Sequence, residues 1–228
     1  KGEIKDGEIR KKDKELIERI IELGIPRDDA KRLRSIYKRN MLFDMSTGIV
    51  QINEVIGMLI QGFKQVMDAG MLAREPCEGI IVRIIDMKLH EDAIHRGPAQ
   101  VLPAITRGIY ACMLEAGAQL YEPKQILTIT VPQDYMGAVS KELSTRRTQI
   151  SEMRQEGDSS IIIAKAPVKE LIGFSGDMRS ATQGRAIWTA EYAGYELLPY
   201  ELQEKTVKEI RQRKGMDEQV KPYTFFLE

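Results

Sequence analysis

Helical spacing dominates the first half of the chain, and strand alternation sets in later. Leu16, Ile17, Ile20 and Ile21 fall on one face of a helix that Asp13 can cap and that Gly24, followed by Pro26, stops. From Asp28 to about Arg39, the apolar positions Ala30, Leu33, Ile36 and Tyr37 predict a second helix, with Arg27, Lys31, Arg34 and Lys38 along another stripe. Met41 to Gln51 reads as a hairpin, two short apolar runs around the turn residues Ser46, Thr47 and Gly48. The strongest helix follows: Ile52, Val55, Ile56, Leu59, Ile60, Phe63, Val66 and Met67 keep helical spacing until Gly70. After Pro76, the Ile- and Val-rich segment from Gly79 to Leu89 predicts a strand. A loop then leads to a helix starting near Pro98, with Leu102, Ile105, Ile109, Met113 and Ala116 inward and Pro103 expected still in its first turn.

From Pro123 onward the rhythm is that of a second domain. Ile126 to Val131 alternates as a strand and Gln133 to Arg146 predicts a helix. Thr148 to Arg154 and Ser160 to Ala166 are two strands about a turn at Gly157 and Asp158; Val168 to about Gln183 predicts a helix, and Arg185 to Leu198 contains a last strand. The order βαββαβ is the ferredoxin-like arrangement, two helices covering one face of a four-stranded antiparallel sheet. The fold class is therefore α+β in two domains. Residues 201 to 214 predict a charged helix around Leu202, Val207 and Ile210, and the chain ends in Tyr223, Phe225 and Phe226. Terminal aromatics are best buried, so this tail is expected to pack back on the first domain.

Charge narrows the function classes. With 34 basic and 34 acidic side chains the net charge is zero, which argues against a clamp holding nucleic acid by bulk charge. Residues 1 to 40 carry 13 basic and 9 acidic groups, however, and their basic stripe admits two readings, a solvated helix face or a phosphate-facing one. The least charged stretch, Met45 to Gln61, is interrupted by Asn53, Glu54 and glutamines before it could span a membrane. Lys1 to Lys14 is a charged run without an apolar signal segment, which points to the cytoplasm, and a start without Met points to a fragment. Cys77 and Cys112 read as small buried hydrophobes in a reducing compartment.

The candidate chemistry gathers in one loop. Neither G-x-x-x-x-G-K-[ST] nor G-x-G-x-x-G occurs, so the chain should not hydrolyse GTP or ATP alone. The only histidines, His90 and His95, lie in His90-Glu91-Asp92-Ala93-Ile94-His95, which superficially resembles the zinc-protease H-E-x-x-H. The histidines are one residue too far apart: five positions along a helix point roughly 140 degrees away from each other. No nucleophile motif for a Ser/His/Asp triad is present. His90 to Pro98 nevertheless joins a strand to a helix, where binding groups commonly sit on a rigid scaffold. A metal-dependent hydrolase centred on His90, Glu91, Asp92 and His95 stands as the alternative reading.

His90-Glu91-Asp92-Ala93-Ile94-His95-Arg96-Gly97 resembles the diphthamide loop of the elongation factor 2 branch of the elongation factor 2 and G family of translational GTPases. Gly173-Phe174-Ser175 and the run from Asp177 to Ala186 resemble the last domain of that family, and Arg211 to Met216 resembles the C-terminal extension of its archaeal and eukaryotic members. Pro98 and Ala99, where the eukaryotic pattern has further glycines, fit an archaeal member. The resemblance implies that residues 1–121 are most of domain IV, resembling the second domain of ribosomal protein S5, with its opening strand missing and a bare sheet edge near Gly79 to Leu89. Residues 122–200 would be the ferredoxin-like domain V, and residues 201–228 the tail. It implies ribosomal translocation of tRNA and mRNA, no chemical catalysis in this chain, and no cofactor in it, GTP and Mg2+ belonging to the missing GTPase domain. By the same match His95 is the residue converted to diphthamide, and His90, Asp92, Ile94, Arg96, Gly97 and Gln100 shape the loop that meets tRNA and mRNA. Within it Gly97 is expected to serve by backbone freedom, Arg96 by phosphate contact or by pairing with Asp92 or Glu91, and Ile94 by anchoring to the core. Arg146, Arg147, Arg179 and Arg185 are candidate rRNA contacts. The partners implied are the ribosome, its RNA and proteins, tRNA, mRNA and the diphthamide-synthesis enzymes, with no membrane and a monomeric chain.

Overall fold

Asp13 opens the first helix as its sequence predicts: its carboxylate accepts from the backbone N–H of Glu15 at 3.0 Å and of Leu16 at 3.5 Å. The computed structural model describes residues 4–9, 13–47 and 52–227. These form two units, Lys1–Ala118 with Glu204–Glu228, and Gln119–Gln203. The first unit runs β1 (Gly7–Glu8), α1 (Lys14–Glu22), α2 (Arg27–Ala30), β2 (Leu33–Tyr37), β3 (Asn40–Asp44), α3 (Ile52–Asp68), β4 (Ile81–Ile84) and α4 (Pro98–Glu115). Its sheet has the order β1-β2-β3-β4, antiparallel except for the parallel pair β3 and β4. Because successive strand residues face opposite sides, the sheet separates two cores. Ile36 and Phe43 join Ile20, Ile25, Ala30 and Leu33 in one, while Leu42 and Ile84 join α3 and α4 in the other.

The helix expected from Asp28 to Arg39 is not formed. Only Arg27–Ala30 is helical, and Leu33–Tyr37 is a strand. A bulge between Leu33 and Ser35 adds one residue to β2, so Leu33 and Ile36, three positions apart, both reach the same core and imitate helical spacing. The basic stripe dissolves with the helix. Lys31 pairs with Asp28 at 2.9 Å, Arg34 with Asp44 at 2.7 Å and Lys38 with Asp68 at 2.6 Å. The hairpin also lies elsewhere: β2 turns into β3 through Lys38 and Arg39, whose φ values of 46° and 63° are the two positive angles of a primed two-residue turn. Asn40 holds this turn, its buried Nδ2 donating to the carbonyls of Tyr37, Lys38 and Cys77, and its Oδ1 accepting from Ile80 N–H. Of the expected hairpin at Met41 to Gln51, residues 48–51 lie outside the described residues.

Other boundaries shift less. β4 covers only the start of the strand predicted from Gly79 to Leu89 and lies at the edge of its sheet among the described residues. Pro103 sits beyond the first turn of α4, and Ala116 is exposed rather than inward. Cys77 is half-buried, with burial pushing its thiol up to about 11, whereas Cys112 is exposed on α4. The α3–α4 contact is close: a Cβ on Gly62 would stand 2.2 Å from Ile105 Cγ2. No helix among the described residues is long and apolar enough to cross a membrane.

In the second unit β5 (Tyr121–Pro132), α5 (Met136–Ser144), β6 (Gln149–Glu156), β7 (Ser159–Pro167), α6 (Phe174–Ala181) and β8 (Ile187–Leu197) form an antiparallel sheet of order β6-β7-β5-β8, the ferredoxin-like topology. Leu127, Ile129, Val131, Ile162 and Ala164 face Val139 and Leu143 of α5 and Phe174 and Met178 of α6. The helix predicted from Val168 to Gln183 is broken at Ile172 and Gly173, where φ of 82° at the glycine separates a 3-10 turn from α6.

The chain returns to the first unit through α7 (Tyr200–Arg213). Arg211, 6% exposed, donates to the carbonyls of Leu72 at 2.8 Å, Gln219 at 3.0 Å and Asp217. Lys214 donates to the carbonyls of Ala73 and Arg74 and pairs with Glu75. Farther on, Arg107 donates to Phe225 O at 2.7 Å, and the rings of Tyr110 and Phe226 meet edge to face at 5.6 Å.

Replacing Lys38-Arg39 by Asn-Gly is expected to stabilise the chain by about 1 kcal/mol, since those residues adopt positive φ at lower cost; an unchanged or lower melting temperature counts against the turn assignment. Arg211→Ala is expected to cost about 2–4 kcal/mol, because a buried side chain is removed and three backbone carbonyls lose their charged donor. Urea denaturation measures it, and a loss under about 0.5 kcal/mol contradicts the anchoring role.

Candidate functional site

The loop from His90 to Gly97 is presented by helices on which it depends. Glu54 lies near Arg96, Gly62 near Ile105, and Ala69 accepts from Tyr110 Oη, so the contacts step along α3 and α4 in the same direction. The two helices therefore run parallel, with their N-terminal ends together at the loop. On the strand side, Met87 and Leu89 pack against the core under α3, which fixes the chain just before His90.

Within the loop Asp92 caps a turn of 3-10 helix over Ala93–Arg96, accepting from Ile94 N–H at 3.0 Å. The backbone N–H of Asp92 donates to His90 Nδ1 at 3.1 Å, and the rings of His90 and His95 meet edge to face at 4.5 Å. Both histidines are exposed, as are Glu91, Asp92 and Gln100. His95 thus stands at the surface with its ring against a second imidazole.

Three expectations for the loop are corrected. Ile94 is 75% exposed and anchors nothing. Gly97 has φ −77° and ψ 172°, extended backbone open to any residue, so conformational freedom is not what places a glycine there. Arg96 does not point outward to a phosphate, nor does it pair with the side chain of Asp92 or Glu91. Its side chain is only 11% exposed, and it donates to His90 O at 2.6 Å, Glu91 O at 2.5 Å and the Glu54 carboxylate at 2.8 Å. Glu54 was missed by sequence reasoning: it reads as an ordinary acid in the first turn of a helix, and only the parallel packing of α3 and α4 brings it to the loop. Among the described residues no three His, Cys, Asp or Glu side chains are grouped so as to hold a metal ion, so nothing supports the hydrolase reading.

The four candidate arginines of the second unit divide into two pairs. Arg146 is inward, donating to Glu170 O at 2.6 Å, pairing with Asp177 and lying over the Phe174 ring. Arg147 grips the two oxygens of the Glu122 carboxylate at 3.0 and 2.9 Å and reaches Glu170 at 3.0 Å. Both brace the unit through partners of its own, Arg146 largely covered and Arg147 still 30% exposed, so neither stands free on the surface as expected from the sequence. Arg179 and Arg185 are exposed. Burial alone would push the Glu122 carboxyl up, but hydrogen bonds from Arg147 and Lys124 outweigh it and hold it below its ordinary 4.5.

A two-unit α+β fold carrying an exposed histidine pair on a braced strand-to-helix loop can now be set beside known proteins. Residues 2–117 match the sequence model of elongation factor G, domain IV, and residues 119–216 that of the elongation factor G C-terminus. The chain belongs to the elongation factor G and elongation factor 2 family, whose domain IV and C-terminal domain have these folds. It is 54% identical to elongation factor 2 of Methanopyrus kandleri over 203 residues, 89% of this chain and 16% of that protein. It is 49% identical over 216 residues to elongation factor 2 of Methanocaldococcus jannaschii and 50% identical over 217 residues to that of Thermococcus kodakarensis, matches covering 94% and 95% of this chain and 30% and 29% of those proteins. The chain thus spans less than a third of the length of these archaeal relatives.

The Glu122 ion pair carries a pH dependence. A carboxyl whose folded pKa lies below its unfolded one contributes stability that is present above the unfolded value, near pH 4.5, and lost as pH falls through the folded value. Glu122→Gln is expected to lower stability at pH 7 and to flatten the decline from about pH 5 to pH 2. Urea titrations across that range test this, and a variant whose decline stays as steep as the parent's overturns it.

Proposed function

We propose that this chain is the C-terminal part of an archaeal elongation factor 2, a cytoplasmic factor that promotes GTP-dependent translocation of tRNA and mRNA on the ribosome. The observation that carries the reading is His95, exposed on a loop braced at the shared N-terminal end of two parallel helices, in a chain of this family. An imidazole so placed, extended into diphthamide by the modifying enzymes, can reach the shallow minor groove or backbone of a codon-anticodon helix, where recognition runs through shape, 2′-hydroxyls and phosphates. The N-terminal ends of α3 and α4 add a positive partial charge at the same end, which favours a phosphate-lined partner.

The chain performs no covalent step in this reading. GTP and Mg2+ act in the remainder of the longer protein, and this part is the arm that occupies the decoding site once tRNA has moved. His90 supports the ring of His95, Asp92 fixes the turn that precedes it, and Ile94, Gly97 and Gln100 border the tip. Of the four candidate arginines of the second unit, Arg179 and Arg185 are the ones exposed to meet ribosomal RNA, and Arg146 and Arg147 are committed to partners within the unit.

In the full-length factor, His95→Ala is expected to slow single-round translocation roughly tenfold, about 1.4 kcal/mol in the barrier, while ribosome-stimulated GTP hydrolysis changes less than about twofold. Rapid-mixing kinetics measure both, translocation with labelled mRNA and hydrolysis by release of inorganic phosphate, and an unaltered translocation rate contradicts the assignment of the tip.

A further inference from the structure

We propose that Glu54 and Arg96 are the positioning residues of this loop, forming a strut that sets where His95 stands; the inference rests on the reading of His95 as the contact tip. Arg96 is the best-buried of the charged side chains in a loop that is otherwise largely exposed. Its guanidinium spends its donors on three acceptors that nothing else ties together: the His90 and Glu91 carbonyls at the start of the loop, and the Glu54 carboxylate on α3. The loop is thereby closed across its base, Arg96 at one end gripping the backbone of His90 at the other.

The consequence reaches the tip through two further contacts. Holding the His90 carbonyl fixes the backbone from which the His90 ring projects, and that ring both accepts from Asp92 N–H and lies against His95 at 4.5 Å. Glu54 supplies the external reference, because it belongs to a helix packed over its length against α4. Without it the loop still closes on itself but is no longer tied to the body of the first unit. The strut is also asymmetric: a planar fork with several donors is required at position 96, and a lysine, a compact charge with no fixed fork, cannot bridge three acceptors in this geometry.

Nuclear magnetic resonance on the 228-residue chain tests the strut directly. In Glu54→Gln the melting temperature is expected to stay within about 2 °C of the parent, since that side chain is more than half exposed, whereas Arg96→Lys, which takes donors from two loop carbonyls, lowers it by a few degrees without unfolding the chain. The contact between the His90 and His95 rings should weaken, and the backbone amides of residues 92–95 should exchange at least about fivefold faster. The charge-swapped pair Glu54→Arg with Arg96→Glu should fail to restore either signal, because a glutamate cannot donate to the two loop carbonyls. A ring contact and amide exchange unchanged in Arg96→Lys, or restored by the swap, overturn the proposal. Full-length factor carrying Arg96→Lys separates the two inferences. A loosened loop with slowed translocation supports both. A loosened loop with normal translocation leaves the strut standing and removes the role of the tip.

Discussion

The close parallel packing of α3 on α4 is the constraint from which the rest of the first unit follows. Gly62 has no side chain at the point where Ile105 arrives, and a methyl group there would overlap it. That approach lets Phe63, Val66 and Met67 share one core with Ile109 and the strand residues Leu42 and Ile84. Because the helices are parallel, both begin at the same end, and the segment entering α4 passes beside the first turn of α3. The candidate loop is placed by that geometry and not by its own composition.

Polar residues then finish what apolar packing starts. Asn40 uses its whole amide to hold a turn made of Lys38 and Arg39, residues that would not select it themselves. Arg211 and Lys214 bind carbonyls of the segment from Leu72 to Arg74 and bring the chain end to the first unit. In the second unit, Arg147 and Glu122 do similar service between the strands and the loop after α5. In each case a cation or amide satisfies backbone or carboxylate oxygens that burial would otherwise leave costly. This explains why basic residues that look available in the sequence are committed to partners within the fold.

The same reasoning separates the residues of the loop by task. His95, Ile94 and Gln100 are exposed and free to meet a partner, whereas Arg96 is drawn inward and Asp92 caps a turn. A list of loop residues does not distinguish these tasks; their hydrogen-bond partners do. Arg96 and Glu54 lie 42 positions apart in the chain, so no local pattern links them.

Local periodicity by itself determined the helices from Lys14, Ile52 and Pro98, the succession of the second unit's elements, and the loop that carries the two histidines. Those features arise from apolar spacing, capping side chains and glycine or proline stops, all of which act within a few residues. The strand from Leu33 to Tyr37 escaped it, because a bulge gives a strand the spacing of a helix, and the turn at Lys38 escaped it because its backbone angles are held through Asn40, whose amide is fixed by the distant Cys77 carbonyl and Ile80 N–H. Which charges face solvent and which brace the fold was likewise settled only by tertiary structure, since an arginine's role depends on oxygens brought to it from elsewhere in the chain.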